Sequence, residues 1–194
     1  MTSFPKVLVL ASTSPYKRRL LERLGIPFLV DSPEAVEERH PQETPEQMAS
    51  RLAQEKALSL RVSHGEAFLL GADQVIALGD QIFSKPGTVQ GAEHQLALLS
   101  GKTHTLLTAM ALCTPTGEVL ESMVQFEMEM RPLTEAEIRR YVALDQPLDC
   151  AGSYKIESYG IGLFRNTKGP DHTAIEGLAI TRVRALLEAG GFFL

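Results

Sequence analysis

Hydrophobic positions follow two rhythms along this chain. Val7-Leu8-Val9-Leu10-Ala11 is an unbroken apolar run, the pattern of a strand covered on both faces. Beyond it, Leu20, Leu21 and Leu24 recur at helical spacing up to Gly25. Ser14 is a good N-cap, Pro15 suits the first helical position, and Gly25 is a C-terminal stop. Residues 31–43 are rich in acids and prolines and read as a loop. Thr44-Pro45-Glu46-Gln47 has the form of a capping box opening a helix to about Val62, with Met48, Leu52 and Ala53 inward. Phe68-Leu69-Leu70 reads as a buried strand ending at Gly71-Ala72-Asp73-Gln74; continuation through Val75–Leu78 to a turn at Gly79-Asp80 is the alternative. A helix over 91–99 stops at Ser100-Gly101, and a strand over 105–113 meets a turn at Thr114-Pro115-Thr116-Gly117. The next strand alternates, with Val124, Phe126, Met128 and Met130 on one face and Gln125, Glu127 and Glu129 on the other. Thr134 with Glu137 forms a second capping box, for a helix through Val142. A glycine-broken β segment over 150–164 and a last helix over 174–187 complete the pattern. Irregular alternation around a central hairpin predicts a mixed α/β sheet flanked by helices.

Composition narrows the class. The chain has 194 residues, 44% hydrophobic and 22% charged, which fits one globular domain over 1–194. A formal net charge of −5 argues against a nucleic-acid-binding protein but leaves room for a small anionic ligand. Cys113 and Cys150 make no disulfide framework, so a reduced, cytoplasmic setting is expected. No run approaches the ~18 apolar residues of a membrane helix, and the first apolar run precedes its basic cluster rather than following it, so neither a membrane association nor a signal peptide is expected.

The candidate chemistry begins at Lys17-Arg18-Arg19. These cations stand in the opening turns of a helix, the wrong end for positive charge. A bound anion resolves the conflict, because backbone N–H groups, the Ser12 and Ser14 hydroxyls and the cations would converge on it; a solvated basic face is the plain alternative. Asp73, at a strand end behind two small residues, suits proton or metal work. Lys56, Lys85 and the loop acids Glu34, Glu37 and Glu38 supply the mixture that phosphoanhydride cleavage uses: acids for a divalent cation, cations for the phosphates. Ser100-Gly101-Lys102-Thr103 lacks the earlier glycine of a phosphate-binding loop, Gly160-Ile161-Gly162 is too short for a dinucleotide fingerprint, and the five histidines have no metal-ligand spacing.

The ordered set Leu10-Ala11-Ser12-Thr13-Ser14-Pro15, Arg51-Leu52-Ala53 with Lys56-Ala57, Gly71-Ala72-Asp73, Lys85-Pro86, Ser100-Gly101 and Ala151-Gly152-Ser153-Tyr154 with Gly160 resembles the Maf family of nucleotide pyrophosphatases over nearly the whole chain. The resemblance implies a hydrolase that uses a divalent metal cation, Mg2+ or Mn2+, to split a nucleoside triphosphate between its α and β phosphates. It also implies an elongated α/β fold with two lobes and a cleft, and a homodimer. It assigns Asp73 as proton acceptor, with metal ligation by the same carboxylate as the alternative, and Lys56 and Lys85 as phosphate-side lysines. The acidic loop aligns in two ways, with Glu37 or with Glu37 and Glu38 on the family's acids, so Glu37 is the metal-ligand candidate beside Asp73.

Three positions that separate substrate branches read Tyr16, Gln74 and Glu157 here, similar to the branch that prefers 7-methyl-GTP. The chemistry is consistent: a positively charged 7-methylguanine stacks on an aromatic ring with cation–π character. Glu157 can accept from N1–H and the exocyclic amine, which thymine does not offer. Ser12, Ser14, Tyr16, Lys17, Arg18, Gln74 and Glu157 are therefore the substrate-binding candidates. Lys17 stands where the family has arginine, and loses the bidentate fork, with Arg18 available to share its role. Tyr16 replaces tryptophan, the better cation–π partner. The resulting expectation is hydrolysis of 7-methyl-GTP to 7-methyl-GMP and diphosphate. Activity on dTTP, UTP or inosine-type triphosphates, or a nucleotide-binding role in septum formation without important catalysis, are the alternatives.

Overall fold

A computed structural model describes residues 6–193. Its regular elements are β1 (Leu8–Ala11), α1 (Pro15–Glu22), β2 (Leu29–Asp31), α2 (Pro45–Ser59), β3 (Phe68–Leu78), β4 (Gln81–Phe83), α3 (Val89–Leu99), β5 (Thr103–Cys113), β6 (Val119–Met130), α4 (Glu135–Asp145), β7 (Phe164–Lys168) and α5 (Ile180–Ala189). Among the described residues the strands form a seven-stranded sheet in the order β2-β1-β3-β5-β6-β7, with β4 paired to β3. β1 runs parallel to both neighbours, Leu10 facing Val30 of β2 and Leu70 of β3. β4 is antiparallel to β3 and β7 to β6. The expected mixed α/β sheet is therefore present. Among the described residues no helix is long and apolar enough to cross a membrane.

The chain divides into two compact units, and β3, β5 and β6 each contribute residues to both. The first runs through Gln74, resumes over Thr108–Val124 and returns from Asp171. In it every residue of β1 is fully buried, which is why that strand shows no alternation. Ser14 caps α1, its hydroxyl accepting from the Lys17 N–H, and Leu20 and Leu21 face the core. The capping box of α2 is complete, with Thr44 and Gln47 each satisfying the other's backbone N–H, an arrangement worth about 1 kcal/mol.

Two expectations fail in this unit. β3 follows the alternative reading and continues to Leu78, so Asp73 stands in mid-strand and not at the expected strand end. The small residues there serve packing: a Cβ on Gly71 would lie 2.1 Å from the Ala53 carbonyl oxygen and 2.6 Å from the Ala57 nitrogen of α2. The final helix does not run from Ala174. A 3-10 turn, His172–Glu176, ends at Gly177 in the left-handed region (φ 107°), and α5 starts afresh. Its cap residue Ala179 has no side-chain oxygen to offer. Asp171 and Thr173 replace it from outside: the Asp171 carboxylate accepts from the Thr181 N–H (2.9 Å) and the Thr173 hydroxyl from the Ile180 N–H (2.9 Å).

The second unit comprises Val75–Leu107 and Gln125–Pro170. α3 packs on α4 and on the 3-10 turn Ala151–Ser153. The Thr134–Glu137 capping box forms as expected, and Val124, Phe126, Met128 and Met130 of β6 are buried. The expected β structure over 150–164 is replaced by two 3-10 turns, Ala151–Ser153 and Tyr159–Leu163, and extended pairing begins only at Phe164. Gly152 (φ 69°) and Ser153 (φ 61°) are both left-handed, a conformation no strand accommodates.

His104 is buried in this unit at 2% exposure. Its Nε2 lies 3.0 Å from the Tyr154 hydroxyl, with the Tyr154 and Phe164 rings alongside. Burial pushes its pKa down from 6.5 to about 4. Above the unfolded value both states are neutral and the ring costs nothing. As pH falls toward the folded value the unfolded chain takes up a proton that the folded chain refuses, so stability is lost. Urea unfolding should show about 2 kcal/mol lost through this group between pH 7 and pH 4.5. His104→Gln should remove that part of the acid slope; an unchanged slope would show that the ring titrates normally.

Candidate active site

β1 ends at Ala11, and Ser12 follows it: its backbone N–H donates to the Asp31 carbonyl of β2 (3.0 Å) and its hydroxyl accepts from the Ser14 N–H (3.1 Å). The three cations that follow part company. Lys17 turns inward, and its Nζ donates to the Ala72 carbonyl on β3 (2.8 Å). Arg18 is exposed and pairs with Glu22 one turn on (3.1 Å). Arg19 lies over the Tyr16 ring, 5.1 Å from its centroid. Lys17 is thus the member of the basic cluster that reaches the strand carrying Asp73.

One residue beyond Ala72, Asp73 is 8% exposed, and its Oδ1 accepts from Lys56 Nζ at 2.5 Å. Lys56, on α2 and 9% exposed, also donates to Glu37 Oε1 at 2.6 Å. Burial alone would lower the pKa of this ammonium, but Asp73 and Glu37 outweigh it and hold Lys56 above the ordinary lysine value. Lys56 therefore remains a cation. An ammonium with two carboxylates on it leaves a net negative charge, the kind of group that holds a cation.

Glu37 belongs to the loop that enters α2, and Arg51 ties that loop down. Its Nε and Nη2 bind the two oxygens of Glu43 (2.6 and 2.9 Å), Nη2 also reaches the Glu38 carbonyl (2.9 Å), and Nη1 meets Glu55 (3.2 Å). Arg51 and the His40 N–H hold the Glu43 carboxyl down at about 2. Of the two loop acids, Glu37 is the one whose carboxylate meets Lys56, while Glu38 offers its main-chain carbonyl to Arg51. Arg51 is visible in the sequence as a basic residue before a lysine; its partner Glu43, just ahead of a helix cap, looks like any loop acid.

Gln74 follows Asp73. Its Nε2 donates to the carbonyls of Ala174 (2.9 Å) and Ile175 (3.2 Å) and to the Thr108 hydroxyl (3.2 Å). Thr108 is fully buried, and its place in the apolar run Leu106–Cys113 is the only sequence signal it carries. Lys85, in the segment between β4 and α3, and Glu157, in the turn after the first 3-10 turn, are exposed residues of the second unit. Neither makes a hydrogen bond or ion pair with another described side chain.

A family model described as Maf-like protein matches residues 7–190. The chain belongs to the Maf family. Among its Maf relatives, "7-methyl-GTP pyrophosphatase" of Pseudomonas fluorescens (strain Pf0-1) is 43% identical over 95% of this chain and 96% of its own. The protein of the same name from Xanthomonas campestris pv. campestris (strain 8004) is 43% identical over 96% and 97%. The fold of this Maf chain is also similar to that of the Staphylococcus aureus Ham1 protein, at a TM-score of 0.51 and 14% identity over 95% of this chain and 99% of that one.

Asp73 and Glu37 are the acids that meet at one cation, and among the described residues no three His, Cys, Asp or Glu side chains gather as a metal cage. Hard carboxylate oxygens fit Mg2+ or Mn2+, cations that usually take one or two carboxylates and complete their shell with phosphate oxygens or water.

Proposed function

We propose that this chain is a nucleoside triphosphate pyrophosphatase that hydrolyses 7-methyl-GTP to 7-methyl-GMP and pyrophosphate. The observation that carries the reading is full-length similarity, at 43% identity, to relatives of that name. The Lys56–Asp73–Glu37 group supports the chemistry. Asp73 accepts a proton from the attacking water, whose oxygen forms the new bond to the α phosphorus while the α–β bridging oxygen leaves with the electron pair as pyrophosphate. Lys56, in contact with Asp73 and Glu37, joins Lys17 and Lys85 in offsetting phosphate charge. Arg18 adds to that field from the surface. Ser12 and Ser14 shape the turn at the start of α1. A divalent cation held by Asp73 and Glu37 would supply further charge neutralisation at the phosphates. Tyr16 stacks on the cationic base and Glu157 accepts from its N1–H and exocyclic amine. Residues 1–194 act as one functional domain, and the chain works in the cytoplasm as a homodimer.

The test is pyrophosphate release with magnesium across 7-methyl-GTP, GTP, dTTP, UTP and ITP. Strongest turnover of 7-methyl-GTP is expected. Preference for a pyrimidine would keep the chemistry and discard the base assignment; no turnover, with magnesium or manganese, would favour a binding role. Glu157→Gln should lower kcat/KM for 7-methyl-GTP by about 10- to 100-fold, the worth of a charge-assisted hydrogen bond. Unchanged turnover in that variant would remove Glu157 from base reading.

A further inference from the structure

The two ends of the Gln74 amide meet different surroundings. The nitrogen end faces two main-chain carbonyls, Ala174 O at 2.9 Å and Ile175 O at 3.2 Å. Carbonyls only accept, so the amide is oriented by chemistry: reversing it would set Oε1 against two oxygens and forfeit both bonds. The third neighbour is fixed as well. The Thr108 hydroxyl donates to the same Ala174 carbonyl (2.8 Å), which leaves its lone pairs for Gln74 Nε2 at 3.2 Å. Thr108 is fully buried, so no water competes for that hydroxyl.

The carbonyls are themselves held. They belong to the 3-10 turn His172–Glu176, closed by left-handed Gly177. Asp171 anchors this turn by accepting from the Thr173 N–H (3.0 Å) and hydroxyl (2.7 Å) and from the Thr181 N–H (2.9 Å) and hydroxyl (2.6 Å). Three acceptors therefore occupy the two amide hydrogens of Gln74. Its Oε1 accepts no hydrogen bond from any described residue, although the residue is half-buried.

We propose that Thr108 and the 3-10 turn after Asp171 lock Gln74 as an acceptor-only group, and that its Oε1 selects a nucleotide carrying a hydrogen-bond donor on its nucleoside. This rests on the nucleotide pyrophosphatase reading given above. The donor has two possible sources of one chemistry, the 2-amino group of the guanine or a ribose hydroxyl. A base or sugar that presents an acceptor or nothing at that point leaves Oε1 unpaired and loses affinity. Thr108 is a positioning residue: it acts through Gln74 and touches no reacting atom.

Thr108→Val keeps the shape and deletes the hydroxyl, and Thr108→Ser restores it. Two readouts are compared. One is hydrogen exchange of the Gln74 side-chain NH2, followed by 15N NMR and assigned by its loss in Gln74→Glu. It is expected to be slow in the wild type, faster in Thr108→Val and slow again in Thr108→Ser. The other is steady-state hydrolysis of 7-methyl-GTP against 7-methyl-ITP, which lacks the 2-amino group, and against 7-methyl-2′-deoxy-GTP. In Thr108→Val, KM for 7-methyl-GTP should rise ~10-fold with kcat within about twofold, and preference over one of the two analogues should collapse. The analogue whose preference collapses identifies the donor, base or sugar. Unchanged exchange together with unchanged preference overturns the lock. Changed exchange with both preferences intact overturns the selecting role of Oε1. A slow-exchanging amide in a wild-type enzyme that turns over no nucleotide overturns the nucleotide reading instead, and the lock survives as a structural feature.

Discussion

Asp73→Asn is expected to lower kcat for 7-methyl-GTP by about 10²–10⁴-fold while the protein still folds. The amide has the shape of the carboxylate and keeps an oxygen to accept from Lys56 Nζ, now at 2.5 Å from Asp73 Oδ1. What it loses is the negative charge and the basic lone pair, so it can neither take a proton from water nor hold a cation strongly. Lys56 keeps Glu37 as a charged partner at 2.6 Å, so the buried ammonium is not stranded. Pyrophosphate release measured beside a urea unfolding curve separates the two effects. A cooperative unfolding transition with activity lost supports Asp73 as the proton acceptor. Near-normal kcat would sink the mechanism, and loss of the transition would make the residue primarily structural.

Features set by neighbouring residues were legible along the chain, and features set by distant pairing were not. Both capping boxes, at Thr44–Gln47 and Thr134–Glu137, form because donor and acceptor lie three residues apart and need no other element. The alternation of β6 was legible because one face of it is covered. β2 was not: Leu29 and Val30 are exposed, and the strand exists through its pairing with β1 rather than through its own pattern. The segment after Cys150 misleads for a backbone reason, the left-handed pair Gly152 and Ser153. At the site, Lys56, Glu37 and Asp73 were recognisable as the right kinds of residue, but their meeting joins positions 17 and 19 apart in the chain. The choice of Glu37 over Glu38 at Lys56 depends on Arg51, which spends the Glu38 carbonyl on fixing the loop. Lys85 and Glu157 were named as candidates by the family resemblance alone, and both are exposed without a hydrogen bond or ion pair to another described side chain.

Gly71→Ala should be the most damaging single-methyl change in the first unit. The added Cβ would stand 2.1 Å from the Ala53 carbonyl oxygen and 2.6 Å from the Ala57 nitrogen. Both are helix backbone, so no rotamer change relieves the clash; α2 and β3 must separate. Overpacking of that kind costs about 3 kcal/mol or more. Gly79→Ala is the control. Gly79 has open space around it but a left-handed φ of 59°, so alanine there pays only backbone strain, about 1–2 kcal/mol. Urea midpoints of the two variants should differ clearly, with Gly71→Ala the lower or failing to fold. Equal midpoints would mean that α2 yields easily and that the close approach is not what fixes it. The functional consequence follows from position. Lys56 and Arg51 ride on α2, and Asp73 lies two residues beyond Gly71 on β3. The absent methyl therefore brings the strand near enough for a helix lysine to reach a mid-strand aspartate. In any Gly71→Ala protein that still folds, kcat should fall more than the fraction unfolded accounts for, because the Lys56–Asp73 pair is drawn apart.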